Sequence, residues 1–143
     1  MKHHLCFDGY AEKVRRSFDQ QSLMQTVRAR LQSVEPGTCT IVAPILHGLR
    51  QQHGFAHAGL IFALGDSAAG YAALSLMAEE AEVLTVEMKI NLLAPAEGEL
   101  LVAKGRVIKS GRRLIIVSAE VFTRDNGKDV PVALLQGTMI PTC

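Results

Sequence analysis

Neither sign of charge is in excess in this 143-residue chain: fifteen Lys and Arg stand against fourteen Asp and Glu, a formal net charge of +1. Nucleic acid and anionic membrane surfaces ordinarily call for a basic excess, so nothing in the balance points to either as a partner. Any charge on a ligand must be met locally. The chain also lacks a long, strongly apolar run. Its longest stretch with few charges is rich in Gly and Ala and is interrupted by Asp66, whereas a membrane-crossing helix needs about 20 strongly apolar residues. The N-terminus, "MKHHLCFDGYAEKVRR", has a basic start but no apolar segment before charges return, which argues against a secretory signal. Cysteine is scarce. Cys6, Cys39 and Cys143 are an odd count without CxxC or Cys/His ligand spacing, which fits a reduced, cytoplasmic compartment, and no chemistry is assigned to them.

What is present predicts one globular domain over residues 1–143, with 48% hydrophobic and 20% charged residues. From about Tyr10 to Leu31, Val14, Phe18, Leu23, Val27 and Leu31 recur at roughly helical spacing with charges between, which predicts one or two amphipathic helices. After "EPG", the β-branched "TCTIVAPIL" predicts a first strand, and "HGLRQQHGF", with His47 and His53, a loop. The stretch from His57 to about Met77 is too long and too poor in β-branched residues for a strand. It predicts a helix that is apolar or small nearly all round, hence one enclosed by other elements. In "EVLTVEMKINLLAP", Leu84, Val86, Met88, Ile90 and Leu92 alternate with Thr85, Glu87, Lys89 and Asn91, which predicts a half-buried strand. "ELLVAKGRVIKS", "RRLIIVSAEVFTRD" and "VPVALLQGTMI" follow, linked through SG and NG, two hairpin signals. The composite is α+β: an antiparallel sheet long enough to curl around one central helix.

Asp66 is the one residue with a formal charge between Arg50 and Glu79. A carboxylate in an apolar setting is poorly solvated and has a raised pKa, which makes it a stronger base or nucleophile than one in water. The alternative is a buried Asp bonded to backbone or to a hydroxyl such as Ser67 and serving structure.

The stretch "QQHGFAHAGLIFALGDSAAGYAAL", followed by "TVEMKINLLAPAEGELLVAKGRVIKSGRRL", resembles the PaaI-like branch of the hotdog-fold acyl-CoA thioesterases. The similarity runs from about Gln51 to Thr138. In that family an amide residue and a Gly precede a His-Gly-Gly that opens the central helix, an Asp lies nine residues past the His, and a later strand reads like "VELKINFLRPA". The resemblance implies a hotdog fold, release of coenzyme A and a carboxylic acid from an acyl-CoA substrate, and no metal or redox cofactor. It implies roles residue by residue. Asp66 takes the general base or nucleophile position, and His57 and Ala58 mark the helix start, where a backbone N–H binds the thioester oxygen. Gln51 orients water or carbonyl, and Thr85 assists the carboxylate. This chain has "HAG" where many relatives have "HGG", which keeps the backbone N–H, and Gln51 where many have the shorter Asn. Gly59 and Phe62 are assigned to substrate binding, Phe62 forming with Leu60, Leu64 and Tyr71 an apolar wall for an aromatic or medium to long aliphatic acyl group.

Thioester hydrolysis needs a group that activates water or attacks the carbonyl and another that holds the oxyanion. Free N–H groups in the first turn of a helix serve the second need. Nine residues from His57 to Asp66 amount to about 900° of rotation and ~13 Å of rise, so the two lie on opposite faces of a helix. A site using both therefore predicts a two-fold homodimer with two equivalent interfacial sites, in keeping with the edge-to-edge pairing that the resemblance implies; a dimer of dimers stays open. The small residues Gly59, Ala63, Ser67, Gly70, Ala69 and Ala73 serve either a partner helix or the chain's own sheet. The cations of "KSGRR", with Lys104 and Arg106, read either as phosphate ligands of coenzyme A or as a solvated hairpin. Two other functions stand beside hydrolysis. One is a hotdog hydratase or dehydratase, told apart by its product and lacking here a His-Phe-Pro-like motif; the other is a non-catalytic acyl-CoA-binding module.

Overall fold

The computed structural model describes residues 2–142. Its sheet is antiparallel throughout and runs, in spatial order, β1 (Arg30–Glu35), β2 (Thr38–Pro44), β4 (Leu100–Ser110), β5 (Ile115–Asp125), β6 (Lys128–Thr142) and β3 (Glu82–Leu92), so β1 and β3 are its edges. The long helix α3 (Ala58–Leu74) packs against β2, β3, β4, β5 and β6, and the sheet curves around it as in the hotdog fold. Register shifts in β1, β3, β4 and β6 supply local bends, since each bulge adds a residue to one strand and increases its twist. Two helices precede the sheet, α1 (Tyr10–Gln20) and the single turn α2 (Ser22–Thr26).

The helix is held close to the sheet because β4 carries no side chain where they meet. A Cβ on Gly105 would lie 2.3 Å from the Ala68 carbonyl, far inside van der Waals contact. Ala68, Ala69, Ala72 and Ala73 are fully buried. Ala69 and Ala73 of the small-residue stripe therefore serve the chain's own sheet, as do their neighbours Ala68 and Ala72, while Gly59 stays exposed. No helix among the described residues is long and apolar enough to cross a membrane, which says nothing about strands.

Three expectations need correction. The helical spacing from Tyr10 to Leu31 holds only to Thr26. Arg28 adopts φ 57°, a left-handed conformation that ends the helix, and the following residues form edge strand β1, which the apolar spacing had concealed. The strand expected at 38–46 is the second one, turned out of β1 through Gly37 at φ 83°. In β3, a bulge between Thr85 and Glu87 breaks the alternation. Leu84, Val86 and Leu92, expected on the buried face, are each more than half exposed, whereas Val83 and Thr85 before the bulge and Met88 and Ile90 after it are sheltered. The hairpins are where SG and NG place them. Gly111 N–H donates to the Leu114 carbonyl at 2.9 Å, and Asn126 and Gly127 take φ 52° and 76°, as a type I′ turn requires.

The N-terminal segment is pinned across the far end of α3. Lys13 is buried, and its Nζ donates to the Ala78 carbonyl at 2.9 Å and to the Ala81 carbonyl. Phe18 meets Tyr71 edge to face, with ring centroids 6.1 Å apart.

Candidate active site

Asp66 sits at the middle of α3, half-buried. Its Oδ1 accepts a hydrogen bond from Thr85 Oγ1 at 2.8 Å. Thr85 reaches it because of the bulge: unbroken alternation would put Thr85 on the face of Glu87, Lys89 and Asn91, and one extra residue re-aims it toward the helix. Burial pushes the Asp66 carboxyl above its ordinary range, and the Thr85 hydrogen bond pulls partly the other way. The carboxyl opens on a cavity of about 220 Å³ that it shares with Ser17, Gln21, Ser67, Tyr71 and Thr85. Ser67 is not the partner of Asp66; its hydroxyl donates to Gln21 Oε1 at 3.2 Å.

The helix start has different chemistry. His57 is the N-cap, with extended backbone (φ −63°, ψ 141°), and its Nδ1 accepts from Gly59 N–H at 2.8 Å. The His57 carbonyl accepts from the N–H groups of Leu60 and Ile61. The Ile61 bond is the first of the helix ladder; of the four amides before it, which a helix leaves without intrahelical partners, three are occupied, His57 donating to the Leu49 carbonyl at 3.0 Å, Gly59 to His57 Nδ1 and Leu60 to the His57 carbonyl. Among the described residues the fourth, that of Ala58, has no acceptor. Ala58 faces a cavity of about 480 Å³ walled by Gln51, Phe55, Ile61, Leu92 and Pro95. Gln51 turns its carbonyl inward on its own loop, where Oε1 accepts from the N–H of His53 at 2.6 Å and of Phe55 at 3.2 Å. Its Nε2 takes no part in those bonds.

The structure thus pairs Asp66 with Thr85, Ala58 with Gln51, and His57 with Gly59. Within one chain it does not bring the carboxyl to the helix start: Asp66 and Ala58 open on separate cavities. His57 and Gly59 border a third, about 280 Å³ in volume, with Leu23, Val27 and Leu60. Phe62 borders none of the three; it is partly buried against the core. Tyr71 is buried and turns its hydroxyl toward Gln21 and Ser17. Sequence reasoning missed Gln21 and Ser17, for nothing in their spacing marks them; the one sign was the polar "DQQS" interrupting an amphipathic pattern. In the basic cluster, Arg106 Nε donates to Ser118 Oγ at 3.1 Å and Lys104 lies 5.2 Å from the centre of the Phe122 ring, while Lys109, Arg112 and Arg113 are exposed. Burial pushes the Cys39 thiol up to about 12, which keeps it protonated; Cys6 is exposed, and Cys143 lies outside the described residues.

A half-buried carboxylate and a helix amide without an acceptor are groups that acyl transfer can use. The chain belongs to the thioesterase superfamily, whose family model matches residues 53–130, and it is a thioester hydrolase. A thioesterase family protein from Silicibacter pomeroyi is 45% identical, with a TM-score of 0.91 over 93% of this chain and 98% of that one. The PaaI protein from the phenylacetic acid degradation operon of E. coli, at 18% identity, shares the fold with a TM-score of 0.84 over 92% of each chain. A thioesterase from Haemophilus influenzae, 17% identical, does so with a TM-score of 0.80 over 92% of this chain and 90% of that one.

Proposed function

We propose that the protein hydrolyses acyl-CoA thioesters to coenzyme A and a carboxylic acid, at two equivalent sites formed between the protomers of a homodimer. The observation that carries this reading is the separation of the two chemistries on α3: Asp66 and the Ala58 amide open on different cavities of one chain. A two-fold partner that lays its helix start against Asp66 unites them. The edge strand β3 is the surface on which such pairing would occur, with Leu84, Val86 and Leu92 exposed along it.

In that site the Ala58 amide accepts the growing negative charge of the thioester oxygen, aided by the helix dipole. Gln51 stands beside it in the same cavity and orients the carbonyl or the water. Asp66 acts as general base or nucleophile, and Thr85 holds its Oδ1 so that Oδ2 faces the reactants. His57 positions the first turn through Gly59. The apolar lining of the Ala58 cavity, Phe55, Ile61, Leu92 and Pro95, suits an aromatic or medium to long aliphatic acyl group.

The test is release of free coenzyme A, followed by chromatography, from a panel of aromatic, short, medium and long acyl-CoAs. The wild type should turn over at least one of them, and Asp66→Asn, folded and dimeric, should lose about 10²-fold or more of kcat. Acyl-CoA binding without turnover by the wild type would make the protein a binding module. Full activity in Asp66→Asn would move the catalyst elsewhere.

A further inference from the structure

Gln21 occupies the one-residue joint between α1 and α2, where φ −81° and ψ 98° leave the helical region. Its backbone is pinned on both sides: the N–H donates to the Phe18 carbonyl at 3.1 Å, and the carbonyl accepts from Met24 N–H at 3.0 Å. Its side chain is pinned as well. Nε2 donates to the Tyr71 hydroxyl at 3.0 Å, and Oε1 accepts from Ser67 Oγ at 3.2 Å. The Tyr71 hydroxyl is itself tied to Ser17 Oγ at 3.3 Å. A long, flexible side chain held at both ends of its carboxamide is pre-organised. A carboxamide has two N–H donors and two acceptor lone pairs. These bonds use one of each, so one donor and one acceptor remain in the cavity that Gln21 shares with Asp66. At about 220 Å³ that cavity has room for several waters, each occupying roughly 30 Å³ in the liquid, and its hydroxyl and amide lining supplies their partners.

We propose that Gln21 holds the water consumed in hydrolysis, which makes the N-terminal helical segment part of the active site. The inference rests on the thioesterase reading of Asp66 above. With Asp66 as base, one O–H of the water gives its proton to the carboxylate and the other is accepted by Gln21 Oε1. The oxygen lone pair is thereby turned toward the thioester carbon. The new C–O bond forms, the C–S bond breaks, and the proton held by Asp66 leaves with the thiolate. With Asp66 as nucleophile, its attack breaks the C–S bond, expels the thiolate and leaves a mixed anhydride; the same water, held through Gln21 Oε1, then attacks the anhydride carbonyl, the anhydride C–O bond breaks to return the Asp66 carboxylate, and the water's proton passes to that carboxylate and on to the thiolate. Lys13 and the Phe18–Tyr71 contact keep the segment seated over the cavity.

The test compares wild type, Gln21→Met and Asp66→Asn on one hydrolysed acyl-CoA, with a non-hydrolysable thioether analogue for binding and hydroxylamine as a competing nucleophile. Methionine matches glutamine in length and removes its hydrogen bonds. Gln21→Met should lower kcat about 10- to 100-fold, leave the analogue's Kd within about two-fold, and lose less hydroxylaminolysis than hydrolysis, because the added nucleophile needs no bound water. Wild-type kcat in Gln21→Met, with Asp66→Asn inactive, would overturn the water site and leave the reading of Asp66 standing. So would an equal loss of hydrolysis, hydroxylaminolysis and analogue binding, which would make Gln21 a structural residue. If Gln21→Met fails to fold, Tyr71→Phe removes the anchor alone and should reduce kcat about 3- to 10-fold in the same selective pattern; no selective loss there would overturn the proposal. A wild type that releases no coenzyme A from any acyl-CoA overturns both readings together.

Discussion

The first turn of α3 and its midpoint, Ala58 and Asp66, lie eight residues apart on one helix and offer opposite chemistries. At the first turn the useful group is a backbone donor, the Ala58 amide, beside an exposed N-cap. At the midpoint it is a half-buried carboxylate with a hydroxyl at 2.8 Å. The contrast follows from what a helix is. Only its first four amides lack intrahelical acceptors, so a donor can be offered only there. A carboxylate gains basicity by losing water, which happens at the enclosed middle and not at the open end. One helix can hold both groups, but never next to each other, and a second copy is the economical way to reunite them.

The strongest test of that contrast disables each region separately. Asp66→Asn should lose about 10²-fold or more of kcat. Ala58→Pro should lose about 10²- to 10³-fold, because proline deletes the amide donor at a first helical position that tolerates it, behind a residue already extended as proline prefers. Mixed one to one and allowed to exchange subunits, the two inactive variants should recover roughly a quarter of wild-type activity: half the dimers are mixed, and each has one site free of both lesions. No recovery despite exchange would mean that each chain carries its own site.

Smaller effects sharpen the midpoint. Thr85→Ala removes the hydrogen bond that lowers the Asp66 pKa, so kcat should fall about 5- to 10-fold and the acid limb of the pH–rate profile should move to higher pH. The same shift bears on stability. Because the folded-state pKa of Asp66 is raised, its contribution is fully present below the unfolded carboxylate value of about 4 and is lost as pH rises through the folded value. Asp66→Asn should therefore raise Tm at neutral pH, and the gain should vanish in acid, as calorimetry across pH would show. The smallest effect belongs to the first turn. His57→Ala should cost about 1 kcal/mol of stability in denaturant titrations through loss of the N-cap, and it frees the Gly59 amide as a second donor.

Much of the architecture was legible because periodicity reports burial. α3 stood out by its Ala- and Leu-rich length, and β4 to β6 by the SG and NG turns that link them. β1 was not legible: Val27 and Leu31 keep a helical spacing across the point where Arg28 turns left-handed, and spacing records which side is buried, not which backbone buries it. The site was legible unevenly. Asp66 was conspicuous as a lone charge, and resemblance supplied Thr85, which alternation alone would have put on the wrong face. Gln21 left no trace beyond the polar break of "DQQS", since its partners Tyr71 and Ser67 lie 50 and 46 residues away.

The sequence by itself determined the elements that local physics controls: an enclosed helix with one carboxylate, an N-cap at its start, and strands whose hairpins are set by glycine and asparagine. Tertiary structure alone decided what those residues face. Gly105 lets α3 press on β4, a bulge in β3 turns Thr85 to Asp66, and a joint between two helices lays Gln21 in the same cavity. Contacts between residues distant along the chain depend on how elements pack in three dimensions, and the spacing of residues in one dimension carries no record of that packing.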